Sequence, residues 1–272
     1  MKNETRKMCY DEDLQVEACR FEGIMQPFPV HFHSYYVIGF VESGGRYLTC
    51  GNAGCSVGAG DVLVFNPQDN HACTQADGGT LDYRSFNIKP EVMGRLAKEI
   101  TGRQFAVRFH KNVIRDAGLF LSLRRLHEMV MSGSTEFEKS ELLLLAVEQL
   151  IQECGEPFDN SVAEYNAEIE KACSYMQQHF AEHISLGTIC EATSLSKATL
   201  IRAFAKSKGI TPYRYLENIR LGEAKKRLEQ GASPADAAFS TGFSDQAHFT
   251  NFFRNYIGLT PKQYKDIFKS KT

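Results

Sequence analysis

The C-terminal third of the chain repeats itself. Ser185 and Ser196 recur 48 residues later as Ser233 and Ser244. A second set of residues recurs 49 residues later, and its pairs are Phe204 and Phe253, Gly209 and Gly258, Thr211 and Thr260, Pro212 and Pro261, and Tyr215 and Tyr264. A repeat of this length indicates a duplicated supersecondary unit. Because helical solenoids need about three or more repeats, two copies argue against a solenoid.

Each copy is predicted to form two helices joined by a short turn. In the first copy, Ser185 caps a helix that ends near Thr193, and Ser196 caps a second helix that Gly209 ends. In the second copy, Ser233 caps the first helix and Pro234 follows it, and Gly242 supplies the turn. Ser244 caps the second helix, and Gly258 follows its end. A long helix over 212–229 is predicted to connect the copies. A short turn sets two helices at a steep angle, so the second can project into a DNA major groove.

The charge of the chain is divided between its two parts. Residues 184–272 contain 14 Lys and Arg against 7 Asp and Glu, whereas residues 1–183 contain 17 against 26. The overall net charge of −2 by itself disfavours nucleic acid, but a basic segment suits a polyanion. The second helices also carry polar and basic groups, which are Lys197, Thr199, Arg202, Lys206 and Lys208 in one copy and Gln246, His248, Asn251 and Arg254 in the other. We therefore predict that this region binds DNA.

The repeat resembles the AraC family of transcription regulators over about 168–268. The resemblance is carried by Ser196-x-x-x-Leu200-x-Arg202-x-Phe204 with Gly209-Ile210-Thr211-Pro212, and by Gly242-Phe243-Ser244-Asp245-Gln246-Ala247-His248-Phe249-Thr250-Asn251-Phe252-Phe253-Arg254 with Gly258-Leu259-Thr260-Pro261 and Tyr264. It implies that the two second helices enter successive major grooves. The implied base contacts are Ala198, Thr199, Ile201 and Arg202 in the first helix and Gln246, Ala247, Thr250 and Asn251 in the second. Lys197, Lys206, Ser244 and Arg254 complete the expected DNA-binding set.

One position departs from the family pattern. Family members often have Arg or Lys where Asn251 stands in this chain. Asn prefers the adenine edge, whereas Arg prefers guanine. The base preference of the family therefore cannot be transferred to this position.

The first half of the chain has a different character. Residues 20–88 are predicted to be short strands and turns, typical of a small barrel or sandwich. The predicted strands include Tyr35–Val41, Arg46–Thr49 and Val62–Phe65, with turns at Glu42–Gly45 and Gly58–Asp61. Helical spacing appears in 91–100, 116–131 and 136–153. We predict an α+β chain with an effector domain over 1–155, a linker over 156–164 and an all-α DNA-binding domain over 165–272.

Two short motifs flank the apolar strand of this half. His31-Phe32-His33 precedes it, and Gly60-Asp61 with Asn66-Pro67 and His71 follows it. These residues resemble the two cupin motifs, as found in the effector domains of AraC-family members. In cupin enzymes such histidines and a glutamate bind a metal, but here the glutamate position falls in the apolar pair Val37-Ile38.

The missing carboxylate leaves three interpretations of the histidines. The imidazoles of His31, His33 and His71 could hold Zn²⁺ or Fe²⁺. They could instead line a small-molecule pocket without a metal or cofactor, which is the favoured interpretation, or only satisfy the backbone at strand ends. For a pocket, the predicted effector-binding residues are His33, Tyr35, Asn66, His71, Tyr83 and Arg84, with Cys73 beside them. Arg84 is the expected anchor for a carboxylate or phosphate, and its alternative role is a surface salt bridge with Asp82 or Glu42.

The favoured function is transcription control by a small-molecule effector, with double-stranded DNA as the main partner. The alternative is a metal-dependent cupin enzyme fused to a helical module, which the apolar Val37-Ile38 and the intact repeat disfavour. The family resemblance further implies RNA polymerase as a partner and a homodimer formed through the helices over 116–131 and 136–153. The eight cysteines lack a Cys-x-x-Cys spacing and are expected to be reduced thiols. No signal core and no apolar run of about 18 residues is present, so a cytoplasmic location is expected.

Overall fold

The computed structural model describes residues 4–51, 53–75, 78–155, 165–257 and 259–269. The chain separates into two compact units, one of 1–134 with 139–160 and one of 135–138 with 161–272. The expected linker over 156–164 lies outside the described residues, as does Gly258. Among the helices of the described ranges, none has the length and apolar character needed to cross a membrane.

The first unit is rich in antiparallel strands. The strands are β1 (Thr5–Asp11), β2 (Val16–Ile24), β3 (Phe28–His31), β4 (Tyr36–Ser43), β5 (Gly45–Cys50), β6 (Ala53–Gly58), β7 (Val62–Phe65), β8 (His71–Gln75), β9 (Leu81–Ile88) and β10 (Val113–Ile114). The helices are α1 (Pro90–Thr101), α2 (Ala117–Met131) and α3 (Glu138–Cys154). One sheet has the order β1-β2-β9-β4-β7-β10, and the other has the order β3-β8-β5-β6.

The predicted turns and helices of this unit are confirmed. The turn between β4 and β5 contains Gly44 at φ +82°, and the turn before β7 contains Gly60 at φ +92°. Both values lie in the left-handed region that favours glycine. The α2 helix begins after Asp116, whose carboxylate accepts a hydrogen bond from the Leu119 amide at 2.6 Å. These local signals therefore determine where the elements start and stop.

The predicted strand region, 20–88, misses β1, the first half of β2 and the short β10. The β1 strand pairs with β2 alone, in a register that sets Met8 opposite Cys19. As an edge strand it is mostly exposed, so its residues lack the apolar pattern that marks a strand. The β2 strand does bury Val16, Ala18 and Ile24 completely, and this alternation was the available signal.

The apolar run of β4 is buried on both faces. Val37 and Val41 join a core cluster with residues of the second sheet, including Leu48 and Val57. On the opposite face, the Phe40 ring lies 5.6 Å from the Phe120 ring of α2. Because a helix covers the back of the sheet, this strand shows a continuous apolar run where a solvated strand would alternate.

A close approach between β4 and β9 requires a glycine. The Tyr83 ring occupies the space in which a side chain on Gly39 would stand. Any larger residue at position 39 would have to displace this ring.

The second unit is helical and follows the predicted repeat. Its helices are α4 (Asn166–His179), α5 (Leu186–Thr193), α6 (Lys197–Lys208), α7 (Pro212–Glu229), α8 (Pro234–Phe239), α9 (Gln246–Ile257) and α10 (Pro261–Lys269). The hydroxyls of Ser185, Ser196 and Ser233 each accept a hydrogen bond from the backbone amide three residues later, at 3.1, 3.3 and 3.1 Å. Gly209 ends α6 with φ +72°. The caps predicted at these positions are confirmed.

The cap predicted at Ser244 is wrong. The α9 helix begins one residue later, and the Asp245 carboxylate accepts the hydrogen bond from the His248 amide at 2.6 Å. The repeat explains the difference, because its spacing changes from 48 to 49 residues between Ser244 and Phe253. The inserted residue falls at the start of the helix and moves the capping position forward.

Candidate functional sites

The first unit contains a cavity of about 290 Å³. Most of its lining is apolar or aromatic. Its polar lining residues include His31, His33, Arg46, His71, Ser85 and Asn87. Apolar walls with a few fixed polar groups are the usual composition of a small-molecule site.

Most of the predicted pocket residues line this cavity. They are His33, Tyr35, His71, Cys73 and Tyr83. Asn66 is an exception, because its side chain is used to hold another segment of the chain. The Asn66 amide donates to the Phe109 carbonyl at 2.9 Å and accepts from the Phe109 amide at 2.8 Å. Asn66 is therefore a structural residue rather than a member of the cavity lining.

Arg84 is the second predicted pocket residue that does not line the cavity. Neighbouring residues of a strand point to opposite faces, and Tyr83 and Ser85 of β9 both line the cavity. Arg84 points away and forms an ion pair with Glu42 at 3.2 Å. Its alternative role as a partner of Glu42 is thus confirmed, and the predicted anchor role is wrong.

The buried guanidinium that does line the cavity belongs to Arg46. This residue is completely buried and donates to the carbonyls of Ile24 at 2.6 Å and Gly79 at 3.2 Å. Sequence reasoning missed it. A signal was available, because the alternation of β5 places Arg46 on the same face as Leu48, a core residue.

Three histidines converge in the cavity. The ring centroid of His31 lies 4.4 Å from that of His71 and 4.8 Å from that of His33. Their candidate ligand nitrogens all lie within 4.8 Å of one another. His71 also stacks on Phe65 at 3.9 Å, and His33 stacks on Tyr35 at 4.8 Å. The rings are thus held by aromatic neighbours as well as by each other.

Burial keeps two of these imidazoles neutral. Loss of solvent, together with the charges of the neighbouring His71 and His31, lowers the pKa of His33 to about 4. Burial also lowers the pKa of His71, although its hydrogen bond to the Asp69 carbonyl opposes this shift. At neutral pH both side chains therefore offer a lone pair rather than a positive charge.

In the second unit, α9 presents a continuous polar face. Gln246, Ala247, Asn251 and Arg254 are exposed, and Thr250 is half-buried. Ser244 is exposed just before the helix. Phe249 and Phe253 are completely buried and hold the helix in the core with Phe243. His248, 3.4 Å from the Glu217 carboxylate, packs beside Phe243.

The corresponding face of α6 is partly covered. Lys197 and Lys206 are exposed, whereas Thr199 and Arg202 are half-buried. Ala198 and Ile201 are each only 2% exposed. A side chain without accessible surface cannot contact a base, so the expected base contacts of Ala198 and Ile201 are not supported by this structure. Both residues serve packing instead.

Comparison with known proteins covers both units. Residues 189–267 match the family model described as a helix-turn-helix domain, and residues 14–147 match the model described as an AraC-like ligand binding domain. The uncharacterized HTH-type transcriptional regulator YbfI of Bacillus subtilis (strain 168) is 47% identical over 249 residues, which are 91% of this chain and 90% of that protein. The HTH-type transcriptional activator RhaS of Pectobacterium carotovorum is 28% identical over 88% of both chains.

A solved structure of an AraC-type transcriptional regulator from Chromobacterium violaceum aligns with 37% of this chain and 90% of its own, at 28% identity and a TM-score of 0.35. The matches of the two family models and of YbfI carry the assignment, and they name regulators rather than enzymes. The chain belongs to the AraC family of transcription regulators, with a ligand-binding unit and a helix-turn-helix unit that binds DNA.

Proposed function

We propose that this regulator recognises its DNA site through the exposed face of α9 together with Thr199 and Arg202 of α6. The single observation that supports this proposal is the exposed, mostly polar face of α9, opposite a buried aromatic core. Base-contacting residues are Gln246, Ala247, Thr250 and Asn251, with Thr199 and Arg202 from the first copy. Lys197, Lys206, Ser244 and Arg254 contact phosphates, which position a protein on DNA without reading its sequence.

The effector occupies the cavity of the first unit. His33, Tyr35, His71 and Tyr83 contact it, because these side chains line the cavity. The mostly apolar wall favours a small ligand with few polar groups. Binding changes DNA affinity only if the effector binds two states of the protein unequally, and such coupling is typically ~1–3 kcal/mol.

We further propose that the effector domain covers 1–155, the linker 156–164 and the DNA-binding domain 165–272. The test is the fragment over 165–272, produced without the first unit. It is expected to bind DNA with an affinity that falls steeply with salt, because each neutralised phosphate releases counterions. A fragment that folds but binds DNA weakly and independently of salt would contradict the proposal.

Two further partners are proposed. RNA polymerase is one, and the support is that the RhaS relatives are named transcriptional activators. A second copy of the chain is the other, paired through α2 and α3, because Leu121 of α2 is 58% exposed. Light scattering of the intact protein is expected to give a dimer mass that Leu121→Glu reduces to that of a monomer.

A further inference from the structure

The three histidines of the cavity are held in place by the backbone of neighbouring strands. His31 ends β3 and is the register partner of His71, which begins β8. The segment that carries His33 is tied to the turn before β8, because the Gln68 amide donates to the His33 carbonyl at 2.8 Å. Convergence of the three rings is therefore a consequence of strand pairing rather than of flexible side chains that happen to meet.

Two of the rings have a defined tautomer. His31 Nδ1 lies 2.7 Å from the Pro29 carbonyl oxygen, and His71 Nδ1 lies 2.9 Å from the Asp69 carbonyl oxygen. A carbonyl oxygen only accepts hydrogen bonds, so each Nδ1 carries the proton and donates it. In the neutral ring Nε2 then keeps its lone pair. An imidazole whose N–H is held by a carbonyl is the arrangement found where histidines bind metal ions.

The spacing of the nitrogens suits one ion. They lie within 4.8 Å of one another. Ligands placed 2.0–2.1 Å from a tetrahedral ion are about 3.4 Å apart, so nitrogens at the 4.8 Å limit would have to approach each other by about 1.4 Å.

From these observations we propose that His31, His33 and His71 bind one divalent transition-metal ion, such as Zn²⁺, inside the cavity. This inference rests on the proposed effector role of the cavity and names the chemistry of its polar anchor. It replaces the sequence-based expectation of a pocket without a metal. That expectation gave weight to the apolar Val37-Ile38 pair, whereas three imidazole ligands are enough to hold the ion, as catalytic zinc sites show.

The missing carboxylate then determines what else binds. Val37, which has no charge, lines the cavity. Three imidazole ligands carry no negative charge, so they would leave the charge of the ion uncompensated and its remaining coordination positions open. An oxygen donor with negative charge, such as a carboxylate, fills such a position well. The effector class that fits the site is therefore a small acid with an apolar body that packs on the aromatic wall.

Cobalt titration of the untagged full-length protein tests the site. After removal of bound metal with a chelator and dialysis, Co²⁺ is added and its visible absorption is followed, with Zn²⁺ as competitor. We expect saturation at one ion per chain and displacement by Zn²⁺. His31→Ala and His33→Ala should each lower the affinity by about tenfold or more. The matched control is His110→Ala, an exposed histidine of the same unit, which should bind as the unchanged protein does.

A second measurement separates metal binding from folding. His31 is not buried, so His31→Ala should melt at the same temperature as the unchanged protein when metal is absent. Zn²⁺ should raise the melting temperature of the unchanged protein and of His110→Ala, but not that of His31→Ala. A ligand stabilises the state it binds, so this difference reports the site directly.

Two outcomes would overturn the inference. One is the absence of saturable Co²⁺ binding, and the other is equal Co²⁺ binding by His31→Ala and His110→Ala. DNA binding of the metal-free protein is measured on the same samples. If DNA binding is intact while the metal site fails, the inference alone is wrong. If substitutions on α9 leave DNA binding unchanged, the proposed function fails whatever the metal result.

Discussion

The two helices proposed to read DNA, α6 and α9, come from one repeated unit but differ in how much of their surface is available. Five of the 12 residues of α6 are buried, against three of the 12 residues of α9. The α6 helix packs against α4, α5 and α7, whereas α9 packs against α8 and α10 and shares a core cluster with α7. Equivalent residues of the two copies therefore occupy the same place in the fold but differ in solvent exposure. A motif match identifies where a side chain lies in the unit, and only the structure shows whether DNA can reach it.

The largest expected effect is on stability, and it compares the buried Ile201 with Thr250, its counterpart in the second copy. Ile201→Ala is expected to lower the free energy of unfolding of the helical unit by about 2–5 kcal/mol, because the side chain is buried. Thr250→Ala, at a half-buried position, should change it by less than about 1 kcal/mol. Urea denaturation of the full chain measures both, with the unfolding of the strand-rich unit as internal control. If Ile201→Ala lowers the free energy of unfolding no more than Thr250→Ala does, and DNA binding is lost, then Ile201 is as accessible to DNA as Thr250.

An intermediate effect compares base reading by Arg202 and Asn251. Each is expected to contribute about 1–3 kcal/mol to binding of the specific site, so that Arg202→Ala and Asn251→Ala relax preference at different base pairs. Binding is measured on a DNA site selected from random sequences and on unselected DNA. Lys206→Ala is the control and should weaken both DNAs alike.

The outcome for Arg202 sharpens the comparison in either direction. If Arg202→Ala weakens specific and random DNA equally, then base reading belongs to α9 and α6 only positions the protein. If Asn251→Ala does so instead, the exposed face of α9 is not the reading surface.

The smallest expected effect concerns the two helix starts. Asp245→Ala should lower the free energy of unfolding by about 1 kcal/mol, because the Asp245 carboxylate holds the His248 amide. Ser196→Ala should have a similar effect on α6, since its hydroxyl accepts from the Thr199 amide. Ser244→Ala is the matched control and should change the free energy of unfolding by less than about 0.5 kcal/mol. If Ser244→Ala lowers the free energy of unfolding more than Asp245→Ala does, Ser244 is the helix cap, as predicted from the repeat.

Local chemistry made most of the fold predictable. Helix caps such as Ser185 and Ser233 and turn glycines such as Gly60 act through their immediate neighbours, so a short stretch of sequence is enough to identify them. The β1 strand could not be found this way. It owes its conformation to pairing with β2, and its exposed residues carry no apolar pattern of their own.

The site was less predictable because it depends on which face of a strand a residue occupies. Tyr83 and Arg84 are adjacent and polar, but only Tyr83 lines the cavity. A shift of one residue in register would exchange their roles, and nothing in the local sequence fixes that register. The burial of Ile201 could not be predicted either, because it follows from how the helices pack and not from the motif itself.

The glycine under the Tyr83 ring has a consequence for how this regulator could change over evolution. Tyr83 forms part of the cavity wall, while Gly39 stands behind it and holds open the space that the ring occupies. One methyl group added at position 39 would push the ring and so resize the chamber, although no residue facing the ligand had been altered. If the effector binds in this cavity as proposed, selectivity for a new effector could arise from a mutation that a comparison of cavity-lining residues would overlook, and an engineer could use the same position to retune a biosensor.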